Sequence, residues 1–114
     1  MTDRRLPYLD RPFSDGLLAI VVSESAETFP FDAFSDALLR AYDGELVQKL
    51  GPSLGVDQVY WDLRLRGQLV TLHREHFLGV FLCATDRQSE EFLQELLPFT
   101  AKYLLLMNPS VATD

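Results

Sequence analysis

The segment HREH, residues 73–76, contains the side chains of this chain that are best suited to chemistry: two histidines and the carboxylate of a glutamate. Imidazole and carboxylate groups can bind a metal ion or exchange protons near neutral pH. A structural zinc site needs four protein ligands, and a catalytic site typically needs three and a water molecule. The segment supplies only three candidates, and its spacing differs from the HExxH pattern of zinc proteases. A metal site is therefore not expected here.

The residues around this segment alternate as they do in a β-strand, and this alternation separates the two imidazoles. Successive side chains of a strand point to opposite faces of the sheet, so His73 and His76 would point in different directions. His73 would lie on the outer face beside Tyr60, and His76 would lie in the turn that follows. Glu75 would share the outer face with His73, which predicts a titratable histidine–glutamate pair at the surface.

Three other patterns resemble catalytic motifs without the structural context that catalysis needs. GPSLG, residues 51–55, matches G-x-S-x-G, but the nucleophile elbow requires a strand before the serine, whereas this chain predicts a helix before it. Cys83 lies in an apolar run, where its thiol pKa should be raised and the thiol unreactive. Glu90 and Glu91 fall near the start of a predicted helix, where acidic residues interact favourably with the helix dipole. We therefore expect no enzyme activity and no cofactor.

Composition restricts the class of protein and of partner. The chain has 114 residues, of which 47% are apolar, and this is enough for one domain with a single core. Its net charge of −7 should repel nucleic acid and anionic membranes. No apolar run reaches the roughly 20 residues of a membrane helix, and the N-terminal residues do not form a signal peptide. These features, together with a single cysteine, predict a cytoplasmic protein without disulfides.

The acidic residues are concentrated in one part of the sequence. Six acidic side chains lie between residues 24 and 45, and Arg40 is the only basic residue among them. Asp32 and Asp36 would lie on the solvent face of a predicted helix. Such a face is commonly only solvated, but it can also attract a basic protein and accelerate the encounter with it.

The first half of the chain predicts an arm, a strand and a helix. Residues 1–15 contain two prolines and show no period, so they are expected to form an irregular arm. Residues 16–23 form a continuous apolar run that is typical of a buried strand. Apolar residues recur at helical spacing from Phe31 to Ala41, which predicts a helix. The pattern of ELVQKL, residues 45–50, predicts that the helix resumes before Gly51 and Pro52 end it.

A three-stranded antiparallel meander is predicted between residues 59 and 84. Alternation in the first strand and a turn at Arg66-Gly67 set the register of the hairpin. Trp61 would then lie opposite Leu72 on the inner face, and Tyr60 would lie opposite His73 on the outer face. The third strand, residues 77–84, is apolar on both faces.

The apolar third strand raises the question of what covers the outer face of the sheet. We expect Leu69, Leu78, Val80 and Leu82 to gather there, covered by the N-terminal arm, by a helix or by a second copy of the chain. Beyond this strand, Thr85 or Asp86 would begin a helix that reaches Pro98. A further helix is favoured over a strand up to residue 107, and residues 108–114 are expected to form a disordered tail.

Together these elements predict an α+β two-layer sandwich in the order β-α-β-β-β-α. Residues 16–107 would form one domain with a mostly antiparallel, four-stranded sheet and helices on one face. The leading functional hypothesis is a non-catalytic module that binds a basic partner protein, as an immunity-type inhibitor or a chaperone-like escort. The alternatives are a structural homodimer joined through the outer face and a small enzyme or ligand binder centred on His73. The candidate interface residues are Tyr60, Leu69, His73, Leu78, Val80, Leu82, Asp32 and Asp36.

Overall fold

The computed structural model describes residues 5–26, 28–51, 58–76 and 78–107. These residues form six strands and three helices. In chain order the elements are β1 (Tyr8–Asp10), β2 (Ala19–Ser23), α1 (Phe31–Ala41), β3 (Glu45–Leu50), β4 (Gln58–Leu65), β5 (Gln68–Glu75), β6 (Gly79–Ala84), α2 (Ser89–Glu95) and α3 (Leu97–Met107).

The strands form one antiparallel sheet in the order β1-β2-β6-β5-β4-β3. Buried side chains of α1 and α2 pack with those of the strands in a single apolar cluster on one face, which we call the inner face. The α+β class and the antiparallel sheet are thus confirmed. The predicted four strands and their order are wrong, because both edges of the sheet carry an additional strand.

The β4–β5 hairpin has the register that the sequence predicts. Trp61 pairs with Leu72, and Tyr60 pairs with His73. The turn at Arg66-Gly67 has positive φ angles of 51° and 79°, as a tight hairpin turn requires. Strict alternation in β4 therefore sufficed to place the side chains of both strands on the correct faces.

Residues 45–50 form the edge strand β3, so the prediction of a resumed helix is wrong. The helix α1 stops before Asp43, whose φ is 48°. Gly44 then passes so close to β4 that a Cβ atom there would lie 2.6 Å from the backbone oxygen of Arg64. Leu46 pairs with Leu63, and a β-bulge follows it. Pairing with β4, whose partner residues lie 10 to 19 positions further along the chain, overrides the weak local helical pattern.

The third strand of the meander, β6, faces the opposite way from the prediction. Val80 and Leu82 are 0% exposed and belong to the core, and Leu82 pairs with Leu72 on the inner face. Phe81 and Cys83 occupy the outer face instead. The sequence did not predict this orientation. When both faces of a strand are apolar, the sequence pattern does not show which face points inward.

The remaining two residues of the predicted outer patch are separated from each other. Leu69 lies on the outer face and is half-buried, in agreement with the prediction. Leu78 lies in the turn before β6 and is 50% exposed. The four leucine and valine side chains therefore do not form one exposed apolar patch.

The N-terminal segment is more ordered than the predicted irregular arm. β1 pairs with β2, and the chain after it is held by Glu90 of α2. Arg11 forms a salt bridge of 2.7 Å with Glu90, and the backbone N–H of Leu18 donates to the same carboxylate at 3.0 Å. These contacts tie both ends of the segment 11–18 to α2. The predicted disordered tail, residues 108–114, lies outside the described residues.

The second predicted helix begins near its expected start, but it ends at Glu95 rather than at Pro98, and α3 follows from Leu97. Asp86 accepts a hydrogen bond of 2.8 Å from the backbone N–H of Ser89, which caps the start of α2 as predicted. The chain after Pro98 is helical, because a proline in the first turn of α3 removes no helical hydrogen bond. None of the helices in the described part of the chain has the length and apolar character needed to cross a lipid bilayer.

Candidate functional site

Four rings meet on the outer face, one each from the N-terminal segment, β4, β5 and β6. We call them the ring cluster: Phe13, Tyr60, His73 and Phe81. Tyr60 stacks on His73 with ring centroids 4.2 Å apart, because the two residues are directly paired across β4 and β5. Phe13 lies 5.1 Å from His73 and 5.0 Å from Phe81. The N-terminal segment thus covers part of the outer face with an aromatic side chain. This segment was one of the three coverings that the sequence analysis proposed.

The ring cluster buries His73 almost completely, leaving the residue 5% exposed. Its Nε2 atom makes no hydrogen bond with any described residue. The nearest charged group is the Glu75 carboxylate, whose Oε2 lies 3.6 Å away while its Oε1 accepts a hydrogen bond from Gln58. Burial lowers the pKa of His73 from its ordinary value, and the charge of Glu75 partly opposes this shift. The predicted histidine–glutamate pair therefore contains a buried imidazole rather than a surface one.

A pocket of about 390 Å³ opens beside this buried histidine, and we call it the outer pocket. Its lining combines the N-terminal segment with strands β4, β5 and β6. The residues that matter for its chemistry are Phe13, Asp15, Tyr60, Thr71, His73, Cys83 and Thr85. The volume falls within the range of pockets that hold small organic molecules.

The hydroxyl groups of the outer pocket already donate their protons inside the protein. Thr71 donates to Asp62 at 2.7 Å, Thr85 donates to the backbone oxygen of Leu69 at 3.0 Å, and Tyr60 donates to the side-chain oxygen of Gln58 at 3.2 Å. A hydroxyl oxygen that donates its single proton keeps its lone pairs as acceptors. The pocket therefore offers hydrogen-bond acceptors to a bound molecule.

Cys83 contributes a neutral thiol to the outer pocket. Burial, followed by the nearby charge of Asp15, raises the thiol pKa to about 12. The thiol is therefore protonated at neutral pH and a poor nucleophile, which agrees with the expectation from its apolar sequence context. Asp15 is exposed, and its carboxylate accepts a hydrogen bond from the backbone N–H of Leu17 at 2.9 Å.

The structure brings together only some of the residues that the sequence proposed. Tyr60 and His73 are in direct contact, while Asp32 and Asp36 lie exposed on α1, in the helical layer on the inner face. Asp36 forms a salt bridge of 2.8 Å with Arg40. Neither carboxylate lies at the outer pocket.

The N-terminal contribution to the pocket was missed by the sequence argument. Phe13 and Asp15 lie in a segment without periodicity, so no local pattern predicted which surface they would contact. The one available signal was the need to cover an apolar outer face, which named the arm as a candidate without naming its residues.

The HREH segment lies within the described residues, whereas most of the GPSLG motif does not. His76 lies in the turn after β5, as predicted. Within residues 5–26, 28–51, 58–76 and 78–107 there is no group of three or more histidine, cysteine or acidic side chains arranged to hold a metal ion. Apart from Gly51, the GPSLG motif lies outside the described residues.

The edge strand β3 is a second surface with features of a binding site. All six of its residues are exposed, and three of them are apolar: Leu46, Val47 and Leu50. The ammonium group of Lys49 lies 4.2 Å from the ring centre of Trp61, and Glu45 forms a 2.8 Å salt bridge with Arg64. The charges of β3 are thus engaged with β4, while its apolar side chains remain in solvent.

Comparison of the chain with protein-family models, with curated proteins and with solved structures found no match.

Proposed function

We propose that this protein is a non-catalytic module that binds an extended segment of a basic partner protein along the free edge of β3. The observation that carries the proposal is the exposure of six consecutive residues on an edge strand, three of them apolar. A free strand edge presents unpaired backbone N–H and C=O groups, and partner segments add to such edges as a further strand.

The two edges of the sheet differ in their suitability for a partner. β1 has three residues, all half-buried, and the chain that follows it is tied to α2 through Arg11. β3 has twice that length, and along its free side no strand of the described chain pairs with it. A segment that adds to the sheet would therefore find its longest template at β3.

The side chains of β3 favour selective pairing over uncontrolled aggregation. The bulge between Leu46 and Gln48 interrupts the regular edge, and Lys49 places a charge on it. Both features are devices by which proteins limit edge-to-edge association. A partner would have to accommodate the bulge and fill the positions beside Leu46, Val47 and Leu50, so shape and apolar contact would provide specificity.

Electrostatics favour a basic partner. The chain carries a net charge of −7, and the exposed carboxylates of Asp32 and Asp36 add to the negative field. This field accelerates the encounter with a positively charged protein and weakens as salt is added. Inhibition of a basic toxin and escort of a basic secreted protein are the two biological roles that fit this chemistry.

The test is selection of peptides that bind the folded chain from a displayed library of short random sequences. The proposal predicts selected peptides that alternate apolar and basic residues, bind less tightly at high salt and shift the backbone NMR signals of β3. The substitution Leu50→Glu should abolish binding, because it buries a carboxylate without a partner in the apolar contact. Leu106→Glu is the matched control, since Leu106 is an exposed leucine on α3.

Two outcomes would contradict this function. Selected peptides without basic residues, or peptides that bind Leu50→Glu as well as the unmodified chain, would remove the role of β3. A dimer in light scattering that is lost in Leu50→Glu would show instead that a second copy occupies the edge.

The homodimer through the predicted outer face loses support from the fold. Val80 and Leu82 were two of its four apolar contacts, and both are enclosed in the core. Phe13 also covers part of the same face. A second copy would therefore meet a surface that is already partly covered.

A further inference from the structure

We propose that the outer pocket binds a small organic cation, an amine or amidinium group attached to a flat apolar body. This site is separate from β3 and independent of the function proposed above. The inference rests on the acceptors that line the pocket, on the carboxylate at its N-terminal wall, on its aromatic walls and on the unpartnered nitrogen of His73.

The hydrogen-bonding groups of the pocket favour a ligand that donates hydrogen bonds. Thr71, Thr85 and Tyr60 use their hydroxyl protons on Asp62, the Leu69 backbone and Gln58, so only acceptor lone pairs remain toward a ligand. The carboxylate of Asp15 is an acceptor as well, and the thiol of Cys83 is a weak donor. A bound carboxylate or phosphate would find few donors here, whereas an ammonium group would find several acceptors.

Charge supports the same choice. Asp15 lies close enough to Cys83 for its charge to act on the thiol, and the lining residues that the structure describes include no lysine or arginine. The negative charge of the whole chain further disfavours an anion. An ammonium or amidinium group beside Asp15 would form a charge-assisted hydrogen bond, which is stronger than a neutral one.

The aromatic walls suit a flat apolar body. The rings of Phe13, Tyr60 and His73 border the pocket, and Leu17 and Ala84 complete its apolar lining. Ring faces attract both another aromatic ring and a cation placed over them. A pocket of about 390 Å³ has room for a single aromatic ring with a short amine-bearing chain.

The buried Nε2 of His73 is a further unusual feature of this site. The His73 side chain is 6% exposed, and this nitrogen makes no hydrogen bond with the described residues. A buried polar atom without a partner costs free energy, and native proteins satisfy nearly all such atoms. The His73 ring is part of the pocket wall, so a ligand in the pocket would lie against this ring.

The test uses three probes of nearly equal shape: benzylamine, benzyl alcohol and benzoate. Binding is followed by shifts of the backbone NMR signals. Benzylamine should bind most tightly and shift the signals of Asp15, Thr71 and Cys83. Benzyl alcohol should bind roughly tenfold more weakly, since it lacks the charge-assisted bond, and benzoate should bind least.

The key variant is Asp15→Asn, which keeps the side-chain oxygen that accepts from Leu17 and removes the charge. It should weaken benzylamine by roughly tenfold and leave benzyl alcohol unchanged. Asp32→Asn is the control, because it removes the same charge from an exposed position on α1. Val47→Glu, in the bulge of β3 and outside the Leu50–Tyr60 pair, should weaken peptide binding and leave benzylamine binding intact, so the failure of either proposal would be seen separately.

Three results would overturn the inference: benzoate binding at least as tightly as benzylamine, no saturable binding of any probe, or signal shifts that lie away from the pocket. Equal losses of benzylamine affinity in Asp15→Asn and Asp32→Asn would assign the effect to overall charge, which also contradicts a specific site.

Discussion

The two faces of the sheet bury their side chains by different means. Leu72 and His73 are neighbours on β5, and both are buried, but they face opposite sides. The inner face is covered by helices whose apolar residues, such as Phe34 and Leu38, pack directly on the strands. The outer face around His73 is covered by rings, one of which arrives from the N-terminal segment.

This difference separates stability from function. A core of apolar atoms gains free energy from burial and leaves no polar group unsatisfied. The outer face instead buries an imidazole nitrogen without a partner, at a cost of about 1–3 kcal/mol for such a group. Unsatisfied polar groups in native structures often mark sites that interact with something else. The inner face thus stabilises the fold, and the outer face carries the candidate ligand site.

The largest effect is expected from Val80→Asp on the inner face. It would bury a carboxylate without a partner and lower the free energy of unfolding by about 4 kcal/mol or more. Chemical denaturation measures this change. The control is Leu78→Asp, two residues away and exposed, which should change the stability by no more than about 0.5 kcal/mol. A stable Val80→Asp variant would contradict the placement of β6.

A smaller loss is expected from Phe13→Ala on the outer face. Phe13 is only half-buried, so its truncation should cost about 1–3 kcal/mol, less than for a core phenylalanine. It should also admit water to His73 and raise the pKa of this histidine toward 6.5, as NMR titration would show. Phe92→Ala on α2 is the control, since it removes a partly buried ring from the inner side. An unchanged His73 pKa in Phe13→Ala would show that Phe13 does not keep water away.

The lowered pKa of His73 also makes the folding stability depend on pH. The folded chain binds this proton less tightly than the unfolded chain, because burial disfavours the imidazolium. The stability is therefore full above pH 6.5 and decreases as the pH falls through 6.5 toward the lower folded value. Denaturation at a series of pH values measures this loss, and His73→Phe should remove it. A stability that rises as the pH falls through this range would reverse the assignment.

Glu90, which joins the N-terminal segment to α2, is expected to cause a loss of folding stability at lower pH. Its pKa is lowered to about 2, first by the hydrogen bonds from Arg11 and also by the Leu18 backbone and by the charge of Arg87. Its contribution is present above its ordinary value of 4.5 and is lost as the pH falls from 4.5 toward 2. Glu90→Gln should lower the denaturation midpoint at neutral pH and flatten this acid-dependent part of the curve. Glu91→Gln, on the exposed neighbour, is the control.

The last prediction concerns the reactivity of the Cys83 thiol and involves no change in stability. With its pKa raised to about 12, iodoacetamide should modify it far more slowly in the folded chain than in the chain unfolded by denaturant. Mass spectrometry measures the rate. Equal rates in the two states would show an open outer pocket with an ionisable thiol.

The local sequence was sufficient to predict the orientation of a strand where that strand had one polar and one apolar face. The alternation in β4 predicted its pairing with β5 and placed Tyr60 beside His73. It was insufficient for β6, because a strand with two apolar faces can be turned over without changing its pattern. It also failed for β3, whose six residues are too few to distinguish a helix from a strand without knowledge of the partner strand.

The sequence by itself determined the α+β class, the hairpin register, the helices α1 to α3 and the unreactive environment of Cys83. These features depend on contacts close along the chain or on composition. Only the tertiary structure decided the six-stranded order, the inward direction of Val80 and Leu82, and the contact of Phe13 with His73. Those features depend on contacts between distant segments, whose free energy comes from shared burial and leaves no periodic pattern in either segment.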